Sequence, residues 1–331
     1  KSLSFPVPHC PTVCLSGFTM GGGQGWNWGS NEGLACFSIA AADIVTADGE
    51  LRHASPEENP DLYWAVRGAG PGFFGVVTRL WLKLYPLPKA IHASNYIIPL
   101  DRLDEVTAIN DRLVKNTLDK RVEFINLLAH SPVAPAGTHP EDAKICFVTA
   151  FAFGDSAEES IDLLAPVTAS KLGALSMHKE ENQNFSFEGL YNKYFSLQAP
   201  AGMMARYKVD NVMTDEPAKV LHDLAQHFRK APSPHAHVLA AMGLNLKHHD
   251  DACFSSIAST YVGCYAIWDE EKDDDANYDW LGKCIPLMEP YNKGHYVNEV
   301  EPRFNANRLR ECFSDEAWAR LEQLRTKYDP N

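Results

Sequence analysis

Two glycine-rich segments are the first places along this chain where a backbone could handle a ligand directly. One is Gly21-Gly22-Gly23-Gln24-Gly25; the other is Arg67-Gly68-Ala69-Gly70-Pro71-Gly72-Phe73-Phe74-Gly75-Val76-Val77-Thr78. Glycine has no Cβ, adopts positive φ at little cost and lets main-chain N–H groups reach a flat or anionic ligand. The first cluster is not a Walker loop, because no Gly-Lys-Ser/Thr follows, and it lacks the spaced dinucleotide fingerprint opening a helix. A single cluster of this kind is commonly a tight turn. Two so close together point to a cofactor cradle, without naming the cofactor.

A second chemistry-bearing pattern is Tyr261, Gly263 and Tyr265 within a run that reads as a strand. Period-two alternation puts all three on one face, so two phenols can point into one cavity. A tyrosine acts as a general base once a neighbouring cation or phenol lowers its high reference pKa. The same spacing equally describes aromatics packed beneath a helix. His235-Ala236-His237 and His248-His249-Asp250-Asp251 contain metal-ligand residue types, but neither follows a zinc spacing, and no metal site is assigned.

The elements that must position these groups fall into three textures. From Ser16 to Gly75 short apolar runs alternate with turns; Ala42 to Arg52 reads as a hairpin about Ala47-Asp48-Gly49, and Asn59 to Val66 as a short helix with an Asn cap and Pro at its first position. Phe73 to Tyr85 alternates like a strand and is closed by Pro86 and Pro88, the expected domain boundary. Beyond it come expected strands at His92–Ile98, Val122–Ala129, Lys144–Phe153, Val238–Leu246 and Ser259–Trp268. Helices are expected at Leu100–Leu118, Ala157–Leu164, Ala218–Arg229 and Asn277–Glu289. This order predicts an α+β chain with a helix-covered, largely antiparallel sheet. The acidic run Asp269–Asp275 is expected to be a solvated loop.

At 331 residues, 45% of them apolar, the chain is long enough for about two domains. A net charge of −13 argues against a nucleic acid or an anionic membrane surface as partner and leaves a neutral or cationic small molecule. No run of about 18 apolar residues is present to form a membrane-spanning helix. The eight cysteines show neither C-x-x-C spacing nor a dense framework, so they do not report a redox compartment. Lys1–Pro8 has no features of a signal peptide, and localisation stays open.

The run from Cys10-Pro11-Thr12-Val13 through the two glycine segments to Pro88 resembles the second half of the PCMH-type FAD-binding domain of the vanillyl-alcohol-oxidase superfamily. Within that superfamily it is most similar to the berberine-bridge-enzyme-like FAD-linked oxidoreductases. The stretch from Tyr296-Val297-Asn298 to Lys327-Tyr328-Asp329-Pro330-Asn331 resembles their C-terminal signature, and Tyr191, Ala205–Asn211 and the strand ending at Trp268 fit more loosely. The resemblance implies three parts: 1–88, the FAD-domain half; 89–290, a substrate-binding domain that roofs the flavin; and 291–331, a segment returning to the FAD domain. It also implies truncation at the N-terminus, the sequence starting after the pyrophosphate-binding part.

For chemistry, the resemblance implies FAD, a small-molecule substrate bearing a hydroxyl (an alcohol, a sugar or a hydroxylated secondary metabolite), hydride transfer to the flavin, and oxygen as the expected electron acceptor. Cys10 falls where bicovalently flavinylated relatives bond the flavin ring; such a thiolate link raises the flavin potential. Cys14 and Ser16 stand where relatives usually carry glycine. Tyr261, seven residues before Trp268, takes the position of a catalytic Glu, with Tyr265 and Tyr296 as further catalytic candidates. Gly17, Gly21, Gly22, Gly23, Gly25, Gly75, Val76, Val77 and Asn298 are the expected cofactor contacts, Tyr296 and Asn298 matching a Tyr-x-Asn pair beside the flavin. Two alternatives stand beside this reading: a flavin dehydrogenase with a non-oxygen acceptor, and a catalytically inactive fragment.

Overall fold

The computed structural model describes residues 2–29, 31–131, 134, 138–198 and 206–330. It divides into two compact units: Lys1–Leu87 with Leu246–Ile257 and Gly294–Asn331, and Pro88–Asn245 with Ala258–Lys293. Leu246–Ile257 lies inside the span expected for the second domain, yet it groups with the first unit. Ala205 and Asn331, at the ends of two quoted motifs, lie outside the described residues.

In the first unit, β1 (Leu3–Ser4) is the partner of a two-residue strand ending at Pro86, and a three-stranded antiparallel sheet has β2 (Ile39–Val45) between β3 (Leu51–Ala54) and β4 (Val76–Leu82). The β2–β3 hairpin turns where Asp-Gly predicts. Gly49 has φ of +82°, and the Asp48 carboxylate accepts from the Thr46 hydroxyl at 2.6 Å and the Glu50 N–H at 3.1 Å. β4 is shorter than the alternation suggested, because Gly70–Gly72 forms a 3-10 turn and the β2–β4 ladder has register shifts beside Ala41 and Ile44. The helix Pro60–Val66 follows Asn59, whose side chain does not cap it; the amide donates instead to the His53 carbonyl at 2.7 Å. The C-terminal helix Asp315–Tyr328 closes this unit's core through Leu321, Leu324 and Tyr328, with Lys327 and Tyr328 both bonded to Asp61.

The second unit is built on a seven-stranded sheet. After the two-residue strand β5 (Tyr85–Pro86) of the first unit come β6 (Ala90–Pro99), β7 (Val122–His130), β8 (Lys144–Gly154), β9 (His178–Phe185), β10 (Arg206–Thr214), β11 (His237–Met242) and β12 (Thr260–Trp268). They lie in the order β10-β12-β11-β7-β8-β6-β9, and each pair is antiparallel. Helices Leu103–Asn116, Ala157–Thr168, Pro217–Arg229 and Asp274–Met288 cover one face. Val106, Leu164, Leu224 and Leu281 pack there against Ile98, Phe124, Val148, Ala240, Val262 and Cys264.

Two features depart from expectation. β9 is polar throughout, which hides it from any alternation test; it is held as an edge strand by β6. The acidic run is only partly loop: Glu271–Asp273 is a 3-10 turn, and Asp274 and Asp275 begin the helix, where carboxylates complement the dipole. Asp274 takes Arg206 bidentately, at 2.5 and 2.6 Å, and accepts from the Trp268 indole at 2.7 Å.

Candidate functional site

Sequence-predicted site residues gather into two clusters, one in each unit. In the first unit, the Tyr296 hydroxyl accepts from the Gly23 N–H at 3.0 Å and from the Asn298 amide nitrogen at 3.1 Å. The same amide nitrogen lies 3.3 Å from the carbonyls of Gly17 and Phe18. Tyr-x-Asn therefore staples the glycine run by its backbone: one residue binds the loop's N–H, the other the carbonyls just before it. Burial pushes the Tyr296 phenol up, with Glu299 as a lesser cause, so it stays neutral at physiological pH.

The glycines are required by this close approach. Gly22 has φ of +126°, and a Cβ there would stand 2.8 Å from the Tyr296 ring and 3.1 Å from the Phe254 ring; a Cβ at Gly21 would collide with the Asn298 amide. The 3-10 turn at Ala35–Ser38 takes the far side of the loop: the Ala35 and Cys36 N–H groups donate to the Gly23 and Gly22 carbonyls at 2.8 and 2.7 Å. The second glycine loop joins the first, since a Cβ on Gly70 would be 3.2 Å from the Gly21 Cα. Gly17 differs from these, for a Cβ there meets nothing within 4 Å.

Gly25 pairs with Pro8 and abuts the Pro6–Val7 backbone, which lays the segment leading to Cys10 alongside the glycine run. Cys10 is a partly exposed free thiol 3.1 Å from the Thr12 hydroxyl. Cys14 is an exposed free thiol held below its ordinary pKa, first by the Ser16 hydroxyl and then by the Ser16 and Gly17 N–H groups. The described pairing of Val76 and Val77 is with Val45 and Ile44 of β2, and a Cβ on Gly75 would press on Ile44. Gly75 leads into β4 and Val76 and Val77 begin it, and none of the three is joined to Tyr296 or Asn298 by a described contact.

Two residues of this cluster escaped the sequence reading. Phe254, in the excursion Leu246–Ile257, walls Gly22 and Gly68, and its N–H donates to the Arg67 carbonyl at 3.1 Å. Arg67 was noticed only as the start of a loop. It is buried, and its guanidinium donates to the carbonyls of Cys36, Phe37 and Asp251 and pairs with the Asp251 carboxylate at 2.5 Å. Its contacts lie 30, 31 and 184 residues away in sequence, where no local pattern reports them.

In the second unit, Tyr261 and Tyr265 lie on the sheet face opposite the four covering helices, the face on which Tyr194 of the helix Phe187–Gln198 packs against Phe151; their neighbours Val262 and Cys264 face the helix-covered core. The two phenol oxygens are 2.9 Å apart, and a Cβ on Gly263 between them would collide with the Tyr261 hydroxyl. Directly across the ladder, His237 pairs with Tyr265, their rings stacked 4.6 Å apart at 18°. The His237 Nδ1–H donates to the His235 carbonyl at 3.1 Å, and burial lowers its pKa to about 4, so the ring is neutral near pH 7. Tyr207, half exposed on β10, brings a third phenol ring to 6.0 Å from that of Tyr265. His235, paired loosely with Asp269 at 3.5 Å, does not join this group.

No protein-family model matches the chain. It is 29% identical over 337 residues to the FAD-linked oxidoreductase nodO of Hypoxylon pulicicidum, a match covering 100% of this chain and 71% of that protein. Among solved structures, xylooligosaccharide oxidase from Myceliophthora thermophila in complex with xylobiose superimposes with a TM-score of 0.78 at 19% identity, over 99% of this chain and 71% of the other. Berberine bridge enzyme from Eschscholzia californica superimposes with a TM-score of 0.75 at 21% identity, over 99% and 70%. At such identities these structures establish a shared fold.

Proposed function

We propose that this chain, an oxidoreductase with the berberine-bridge-enzyme-like fold, uses FAD to oxidise a hydroxyl-bearing small molecule: an alcohol, a sugar or a hydroxylated secondary metabolite. The observation that carries this reading is the phenol pair held at 2.9 Å across Gly263, on the sheet face opposite the four covering helices.

The first unit fits the edge of a flat ring. It offers a glycine loop braced on one side by Asn298, Tyr296 and Phe18, an open position at Gly17 and a free thiol at Cys10 in the segment beside that loop. FAD, when bound, supplies the two-electron acceptor for the C–H bond of the substrate. In this reading Gly17, Gly21, Gly22, Gly23 and Gly25 form the cradle, Tyr296 and Asn298 hold its shape, and Cys10 is the point of covalent attachment. Gly75, Val76 and Val77 belong to the same flavin-side unit. Tyr265 or Tyr261, as the phenolate, receives the substrate hydroxyl proton and becomes a phenol; before that step the second phenol donates a hydrogen bond to the phenolate, which lowers the pKa of the accepting partner. His237 keeps the Tyr265 ring flat against the sheet without adding a competing charge. The second unit is the substrate-binding domain, and oxygen is the terminal acceptor.

The test is the full polypeptide purified and its visible spectrum taken before and after acid precipitation. Yellow colour retained in the pellet, and lost from it in Cys10→Ala, is the expected result; a colourless protein would sink the flavoenzyme reading. Tyr265→Phe should then lower kcat about 10²- to 10⁴-fold, the usual contribution of a general base. Turnover in air should exceed turnover under argon with a dye acceptor, and the reverse would make the enzyme a dehydrogenase.

A further inference from the structure

Lys144, the first residue of β8, is the one lysine or arginine of the second unit that is both buried and left without a carboxylate among the described residues. It is 3% exposed, forms no described ion pair, and places its ammonium nitrogen 4.9 Å over the ring of Phe228. Directly across the antiparallel ladder stands His130, whose Nδ1 is buried with no hydrogen-bond partner. Two basic groups thus share one enclosed corner. The neighbouring charges do not neutralise it: Glu141 acts on Lys144 only from a distance, and Arg229 of the overlying helix is turned to Asp101 and to the Glu141 carbonyl.

An amine in such a place is pressed toward its neutral, nucleophilic form, the condition under which lysines form Schiff bases. We propose that Lys144 is a site of reversible covalent capture for a small aldehyde or ketone, assisted by His130. The Lys144 nitrogen adds to the carbonyl carbon, forming a C–N bond. The carbonyl oxygen then leaves as water with two protons originally on nitrogen, and the imidazole of His130 relays protons during this dehydration. The exchange is redox-neutral and reverses with water. Enclosure restricts the ligand to a small, uncharged carbonyl compound, since a charged reagent would have to be desolvated.

The protonation of the two groups follows from the same burial. Burial brings Lys144 down to about 8, and burial together with the Lys144 charge lowers His130, so near neutral pH His130 is uncharged. Lys115 and Lys283 are the reference amines, both mostly exposed and each paired with an aspartate on its own helix, at 2.8 and 2.6 Å.

The experiment is brief treatment of the folded protein with acetaldehyde and cyanoborohydride at pH 7, followed by peptide mass spectrometry. From the neutral fractions alone Lys144 should be ethylated more than about 10-fold faster than Lys115 and Lys283. The preference should vanish in urea, and without reductant the adduct should disappear on dialysis. Labelling of Lys144 no faster than the reference lysines, or a preference that survives unfolding, would overturn the proposal. His130→Phe should slow labelling at Lys144 alone; unchanged labelling there would remove His130 from it. Lys144→Met, which retains volume and discards the buried charge, should fold and lose only the fast-labelling site.

Discussion

Tyr296 and Tyr265 carry the same side chain in two differently built clusters, and the difference separates holding a site from working in one. The Tyr296 hydroxyl is enclosed and already accepts from a backbone N–H and an amide, both fixed by the loop they hold. Burial raises its pKa, and the hydrogen bonds from Asn298 and the Gly23 N–H offset that rise only in part. The hydroxyl of Tyr265, a partly exposed residue, meets the phenol of buried Tyr261, beside a ring kept neutral by burial. A hydroxyl that satisfies a backbone is poorly placed to exchange protons; one bonded to another hydroxyl can shift a proton along the pair.

The comparison breaks most decisively at Gly22. Gly22→Ala forces a side chain into positive φ and against the rings of Tyr296 and Phe254. Strain and overpacking together should lower stability by about 4 kcal/mol and release any bound flavin, seen by thermal unfolding and by the visible spectrum. A variant as stable as the parent would show that the first cluster is not the tightly packed staple described.

The next effect belongs to the second cluster and depends on pH. His237 has a folded pKa of about 4 against about 6.5 unfolded. Between these values the unfolded chain binds a proton that the folded chain refuses, so stability falls as pH drops from about 6.5 to 4 and levels below that. The difference amounts to about 3 kcal/mol. His237→Phe retains a flat ring against Tyr265 and should remove this part of the acid sensitivity, measured as the difference between urea-denaturation midpoints across that window. Parallel pH profiles for parent and variant would mean that the ring is not buried as described.

How much of this was legible in the sequence depended on whether the signal was local. The Asp48-Gly49 hairpin, the helix after Asn59 and the strands at Ala90–Pro99 and Thr260–Trp268 follow from turn chemistry and alternation over a few residues. The shared face of Tyr261 and Tyr265 follows from period two alone. β9 was not legible, because HKEENQNF has no apolar face and is a strand only by pairing with β6. The wall formed by Phe254 was illegible too. Its place against Gly22 and Gly68 results from a short excursion of the chain into the first unit, and no spacing encodes that. The glycine run signalled close approach but not what approaches: at Gly21 to Gly23 it is the protein's own Asn298, Tyr296 and Phe18.

The same substitution made in both clusters gives the sharpest test. Tyr296→Phe leaves the buried Gly23 N–H and the Asn298 amide without their shared acceptor and should reduce stability by about 2 kcal/mol, as the loss of one partner in a buried hydrogen bond does. Tyr261→Phe removes one end of the phenol pair, while Tyr265, partly exposed, can turn its hydroxyl to water; stability should fall by less than about 1 kcal/mol. Turnover should order the other way, Tyr261→Phe losing far more of kcat than its stability change explains, and Tyr296→Phe losing activity only in step with flavin retention. Equal stability losses with equal residual turnover would erase the distinction between the two hydroxyls and return both tyrosines to structural roles.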